Sequence, residues 1–164
     1  MLGYLLDNNV ASELSRPRPD VNVLAWFSAI PDEELFLDAM TVGEIAKGVA
    51  LVRRRNVARA RQLQGWLSAI TFVFADRILK IDVATARIWG ELSSRTPTPP
   101  PADAWIAASA LRHGLVVSTR NTRHFEGFGV GLVNPFMPRV PNLLRPATEP
   151  DDVLAVQCQN GLHR

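Results

Sequence analysis

The chain is poor in the residues that announce many functions. It has one cysteine, Cys158, which excludes an internal disulfide framework and a CxxC zinc site. It has two lysines, Lys47 and Lys80. No apolar run approaches the roughly 18–20 residues of a membrane span. The opening apolar residues meet an acid at Asp7, unlike a secretory leader. A soluble protein of a reducing compartment, the cytoplasm, is expected.

What is present is an ordinary domain's worth of chain. The 164 residues are 47% hydrophobic and 21% charged, with mean hydropathy +0.03, enough to bury a core and unlike a disordered polymer. The net charge of +2 is too small to signal nucleic-acid binding by itself. Of the 18 basic residues, all but the two lysines are arginine, which binds phosphate through a planar fork. GC-rich coding gives the same bias, so the arginines alone assign nothing.

Short apolar runs alternate with helical periodicity. Strands are expected at Gly3 to Leu6, Glu34 to Asp38, Ile78 to Ile81, Leu115 to Thr119 and Val130 to Val133. A short helix capped by Asn8 or Asn9 should carry Glu13, and Asp20 should cap the next, which Pro31 stops. Further helices are expected over Thr41 to Arg53, Asn56 to Arg77, Asp82 to Ser93 and Ala102 to His113, the last stopped by Gly114. The run Thr96 to Pro101 reads as a stiff loop. The alternation argues a three-layer α/β domain with a mainly parallel central sheet flanked by helices. Residues 1–137 form this domain; residues 138–164, with four prolines and few large apolar residues, read as a loosely ordered C-terminal tail with an optional helix from Asp151.

In such a sheet, function gathers beyond the carboxyl ends of the strands. Asp7 ends the first strand, Glu44 opens the helix after the second, Asp103 begins the helix feeding the fourth, and Asn121 follows that strand. Right-handed winding would bring Asp7, Glu44 and Asp103 to one edge. Three carboxylates there repel unless a cation intervenes, and an all-oxygen set suits Mg²⁺ or Mn²⁺. Each acid also has a plainer explanation. Thr41-Val42-Gly43-Glu44 reads as a capping box, Asp103 sits where a helix dipole favours any acid, and Asn9 and Ser12 fit as caps or as hydrogen-bond partners of Asp7. Asp38, Asp76 and Asp82 read as strand ends or caps, and Glu13 as a solvated or structural side chain.

Five segments, in order over residues 2–136, resemble the PIN-domain family in its bacterial VapC/FitB-like toxin branch: Leu5-Leu6-Asp7-Asn8-Asn9-Val10-Ala11-Ser12-Glu13-Leu14, Leu37 to Gly48 around Thr41 and Glu44, Ala102-Asp103-Ala104-Trp105-Ile106-Ala107-Ala108, Ser118 to Phe125, and Val133-Asn134-Pro135-Phe136. The resemblance implies an endoribonuclease using Mg²⁺ or Mn²⁺. It implies Asp7, Glu44 and Asp103 as metal-holding acids, a homodimer, and a small antitoxin that blocks the site and binds operator DNA through its own domain. Asn121 stands where the family often has a fourth acid, so it would position metal or water as a neutral ligand. His124 stands where Asp is common; it reads as a phosphate contact or an exposed loop residue. Asn8 replaces the usual Thr.

Arg120 and Arg123 flank the expected site in one loop and, with Asn9, are the candidate substrate contacts. Arg53, Arg54, Arg55, Arg59 and Arg61 form either a solvated helix junction or an RNA-backbone surface. The four tryptophans lie on apolar stripes and are expected in packing, with Trp66 and Phe72 as plausible partner contacts. Two functions from different classes follow: a metal-dependent endoribonuclease toxin, or a PIN-like module that binds antitoxin or RNA without efficient cleavage.

Overall fold

The computed structural model describes residues 3–94 and 100–138. The expected tail beyond Pro138 and most of the Pro-rich loop lie outside the described residues. Among these residues, five strands form one sheet: β1 (Tyr4–Leu6), β2 (Leu35–Asp38), β3 (Ile78–Leu79), β4 (Val116–Ser118) and β5 (Leu132–Val133). Their order is β3-β2-β1-β4-β5, and every pairing is parallel. Among the described residues, six α-helices connect and cover them: α1 (Asn8–Ala11), α2 (Val21–Ser28), α3 (Ala39–Arg53), α4 (Val57–Val73), α5 (Val83–Ser94) and α6 (Pro101–His113).

The three layers follow from the period of a strand. Successive side chains of the central β1 point to opposite faces. Leu6 enters a core with Val10, Val23, Trp26, Ile45, Leu67 and Ile70, under α1 to α4. Leu5 enters a second core with Leu92, Ile106, Val117 and Phe125, under α5 and α6. Both leucines are completely buried. Small residues at Ala104, Ala107, Ala108 and Ala110 let α6 press against the sheet, and Gly114, at φ 65°, ends it in the left-handed conformation. No helix among the described residues is long and apolar enough to cross a membrane.

Several boundaries differ from the sequence reading. The chain passes from β2 into α3 without a loop, so Asp38 caps α3 and accepts from the Thr41 amide at 2.8 Å. Thr41 therefore lies inside the helix, where its hydroxyl donates to the Leu6 carbonyl at 3.2 Å. The capping box is overturned, and Glu44 sits in the second turn of α3. Asp7, not Asn8 or Asn9, occupies the cap position of α1, and its side chain makes no capping bond. Helix α1 stops at Ala11, and Glu13 falls in a following 3₁₀ turn. Helix α4 ends four residues before Arg77, because that guanidinium donates to the carbonyls of Val73 and Leu35 and pins the chain into β3. Pro101 begins α6, where its missing N–H costs nothing.

Other sequence expectations hold. Asp20 caps α2, accepting from Asn22 and Val23, and Asp82 accepts from Thr85. Asp76 is neither cap nor strand end; it lies exposed in the turn after α4. Glu13 is structural: it is 1% exposed, accepts from the Asp20 amide and pairs with Arg16. Trp26 packs edge-on against Tyr4, and Trp89 stacks on Trp105 with ring centroids 4.5 Å apart.

Candidate active site

Strand order reverses direction at β1. The chain builds β2 and β3 on one side, then crosses to β4 and β5 on the other. The crevice between the carboxyl ends of β1 and β4 is thus the switch point where parallel α/β sheets bind ligands. Asp7 leaves β1 there. Its amide donates to the Ser118 carbonyl at 3.0 Å, fixing it against the end of β4.

Asp7 is nearly enclosed, 5% exposed. Its Oδ2 accepts from the Thr119 hydroxyl at 2.6 Å and from the Asn9 side-chain amide at 2.5 Å. Burial pushes its pKa up; Thr119, the Asn8 amide and Asn9 oppose this, while the charge of Asp103 adds to it. Asn9 is a junction. Its nitrogen also reaches Thr119 Oγ1 at 3.1 Å, and its oxygen accepts from the Arg120 amide at 3.0 Å. Both ends of that side chain are used inside the protein, so Asn9 organises the site.

Glu44 is half-buried. Burial raises its pKa first, then the charges of Asp7 and Asp103; Lys47 works the other way and Asp38 adds to the rise. Asp103, in the first turn of α6, is raised by burial and relieved by His124, whose Nδ1 stands 3.0 Å from Asp103 Oδ2. Glu44 thus lies within electrostatic reach of the other two acids.

The donor set is hard oxygen, and the shared charge disfavours ionising all three at once, which a divalent cation would relieve. Among the described residues no three acidic, histidine or cysteine side chains already enclose an ion-sized point. Instead, Thr119 and Asn9 engage Asp7, and His124 engages Asp103. The residues fit a hard cation in chemistry, with the two partnered acids held apart from it by neighbours they would have to share.

The remaining candidates separate. Asn121 is exposed; its amide donates to Thr119 Oγ1 at 3.0 Å, and its side chain makes no hydrogen bond among the described residues. Arg123 is exposed on the same 3₁₀ turn. Arg120 is exposed, with its guanidinium carbon 3.6 Å from the centre of the Phe136 ring. Arg53, Arg54 and Arg55 are solvated at the α3–α4 turn. Trp66 packs on the first core, whereas Phe72 is 83% exposed. Sequence reasoning missed Thr119 and Phe136. A hydroxyl at a strand's end, beside a strand that ends in an acid, was the available signal for Thr119.

Known proteins resemble this chain in sequence and in fold. The PIN domain family model matches residues 4–129. Toxin FitB of Neisseria gonorrhoeae is 39% identical over 139 residues, 80% of this chain and 97% of that protein. VapC ribonuclease Y4jK of Sinorhizobium fredii is 38% identical over 141 residues, 82% of this chain and 98% of that protein. Among solved structures, FitAB bound to an IR36 DNA fragment matches with a TM-score of 0.74 at 35% identity, covering 83% of this chain and 97% of the matched one.

Proposed function

Because this chain belongs to the PIN-domain family, we propose that it is a metal-dependent endoribonuclease, the toxin of a type II toxin–antitoxin module. The observation that supports the reading is Asp7 at the switch point, with Asp103 in electrostatic reach of it and Glu44 in reach of both. The names of its relatives, a toxin and a ribonuclease, support the class.

Asp7 and Asp103 would hold Mg²⁺ or Mn²⁺ directly or through water, with Glu44 completing the set. The ion would supply positive charge to the phosphodiester and activate the attacking water. The chain's own residues do the rest. Thr119 and Asn9 fix one oxygen of Asp7, leaving the other for the cation. Glu44 completes the shell or orients the attacking water. Arg120 holds a phosphate oxygen of the RNA, and Arg123 extends the contact along the backbone. Asn121, whose amide is tied to Thr119, positions metal or water as a neutral ligand.

The partner is an antitoxin, as the FitAB and VapBC complexes among the structural neighbours suggest. Contact with DNA would come only through that antitoxin. The chain works as a homodimer in the cytoplasm and joins antitoxin in a hetero-oligomer.

The second reading is a binding module with little catalysis. It is favoured by the pairing of Asp103 with His124 and by the neutral Asn121, whose side chain makes no hydrogen bond among the described residues. Calorimetric titration with Mn²⁺ separates the two. The nuclease reading requires saturable binding that is lost in Asp7→Asn and Asp103→Asn. Heat no larger than dilution for the wild type would favour the binding module.

A further inference from the structure

The site has a cation without a counter-ion. Arg120 makes no ion pair and no side-chain hydrogen bond among the described residues, yet it is not left loose. Its guanidinium lies over the face of Phe136 at 3.6 Å. A guanidinium is flat, and its five N–H groups radiate in its own plane. Seating one face on a ring therefore consumes none of them and leaves the fork free to grip two phosphate oxygens.

Both halves of this arrangement are anchored. The Thr119 amide donates to the Val133 carbonyl at 2.9 Å, so the chain leaving β4 runs beside the end of β5. The Arg120 amide is held by Asn9, which also holds Asp7. Phe136 is fixed by three contacts. Its amide donates to Asn134 Oδ1 at 3.0 Å, its carbonyl accepts from Asn22 Nδ2 at 3.1 Å, and its ring packs on the first core. Arg120 is thus tied to Asp7 through its backbone and to the core through its side chain.

We infer that Phe136 is a positioning residue: a platform that holds the Arg120 guanidinium edge-on to the backbone phosphate of the RNA beside Asp7. This rests on the reading of Arg120 as the phosphate contact. The ring removes rotamer freedom that a free arginine would lose on binding, and adds a cation–π attraction.

The test is a double-mutant cycle read as RNA affinity without turnover. A fluorescein-labelled, mixed-sequence single-stranded RNA is titrated by anisotropy in EDTA against wild type, Phe136→Leu, Arg120→Ala and the pair. Phe136→Leu should weaken binding about three- to tenfold, the range expected for a partly exposed cation–π contact. It should add nothing once Arg120 is gone, and Phe136→Trp should restore affinity. With Mg²⁺ or Mn²⁺ present, the loss should fall on KM and leave kcat near wild type. In free protein, the Arg120 side-chain protons should show a ring-current shift that persists in Phe136→Trp and disappears in Phe136→Leu. Additive losses with wild-type binding intact, or no ring-current shift, overturn the platform alone. No RNA binding by the wild type in EDTA, and none when Ca²⁺ is added in its place, overturns the nuclease reading together with it.

Discussion

The hydroxyl of Thr119 donates to Oδ2 of Asp7 across 112 residues of sequence, at 2.6 Å in a buried setting. The same oxygen, Thr119 Oγ1, accepts from the Asn9 side chain and from the Asn121 amide. One side chain thereby couples the first strand's acid to the loop that carries Arg120 and Asn121. Thr119→Val keeps the shape and removes the hydroxyl. It should cost about 1–3 kcal/mol of stability through the orphaned partners, and reduce RNA cleavage about tenfold or more. Thr119→Ser should retain most of both. Urea melts and initial rates measure this, and wild-type values for Thr119→Val would remove Thr119 from the site.

The acids set the sign of the pH dependence. Asp7, Glu44 and Asp103 have folded pKa values raised above their ordinary ones. They bind protons more tightly folded than unfolded, so their contribution favours folding fully below the ordinary carboxylate range. It is lost as pH rises through the raised values. Asp38 acts in the same direction, and the exposed Asp82, lowered by Thr85, opposes it weakly. Metal-free protein should therefore lose thermal stability through these groups as pH rises from about 4. Asp7→Asn should melt above wild type at pH 7, and saturating Mg²⁺ should close the gap, because the ion binds the deprotonated acids. Parallel profiles of melting temperature against pH for the two proteins would contradict this.

Glu44 depends on Asp38 for its place on α3. Asp38 is completely buried and caps the helix through Thr41. Asp38→Ala should destabilise the fold by about 1–2 kcal/mol, the loss of a cap, and Asp38→Asn should recover most of it by keeping the acceptor. Chemical denaturation reads the difference; equal loss in both variants would mean that the charge, not the cap, is what α3 uses.

His124 stands against Asp103, Nδ1 3.0 Å from Oδ2, so an acid at this position would add a carboxylate beside Asp103. His124→Asp should tighten Mn²⁺ binding about fivefold or more, close to 1 kcal/mol, and lower the melting temperature of metal-free protein at neutral pH. Calorimetry gives the first quantity and a thermal melt the second. Unchanged or weaker affinity would place position 124 outside the ion's surroundings.

Much of this was legible in the sequence because it depends on local pattern. Apolar runs ending in Asp7 and Asp38 mark strands, and right-handed winding then brings their ends to one edge. What was not legible depends on how elements abut. A capping box at Thr41 requires the helix to start there, whereas α3 starts at Ala39 directly after β2. With no loop, Asp38 takes the cap, and Glu44 is released from that role. The end of α4 is set by Arg77 reaching Leu35, 42 residues away. The link from Thr119 to Asp7 and the seat of Arg120 on Phe136 exist only once β1, β4 and β5 lie side by side. Their residues fall in segments that resemble the family's, but which side chains touch is not set by local pattern.

The central claim is that these acids cut RNA with the help of a divalent ion. Its most direct test is incubation of a mixed pool of structured RNAs with purified protein in Mg²⁺, in Mn²⁺ or in EDTA, with Asp7→Ala alongside. Discrete cuts that require metal and vanish in Asp7→Ala are the expected result. Equal, weak, metal-independent degradation by both proteins would contradict the account.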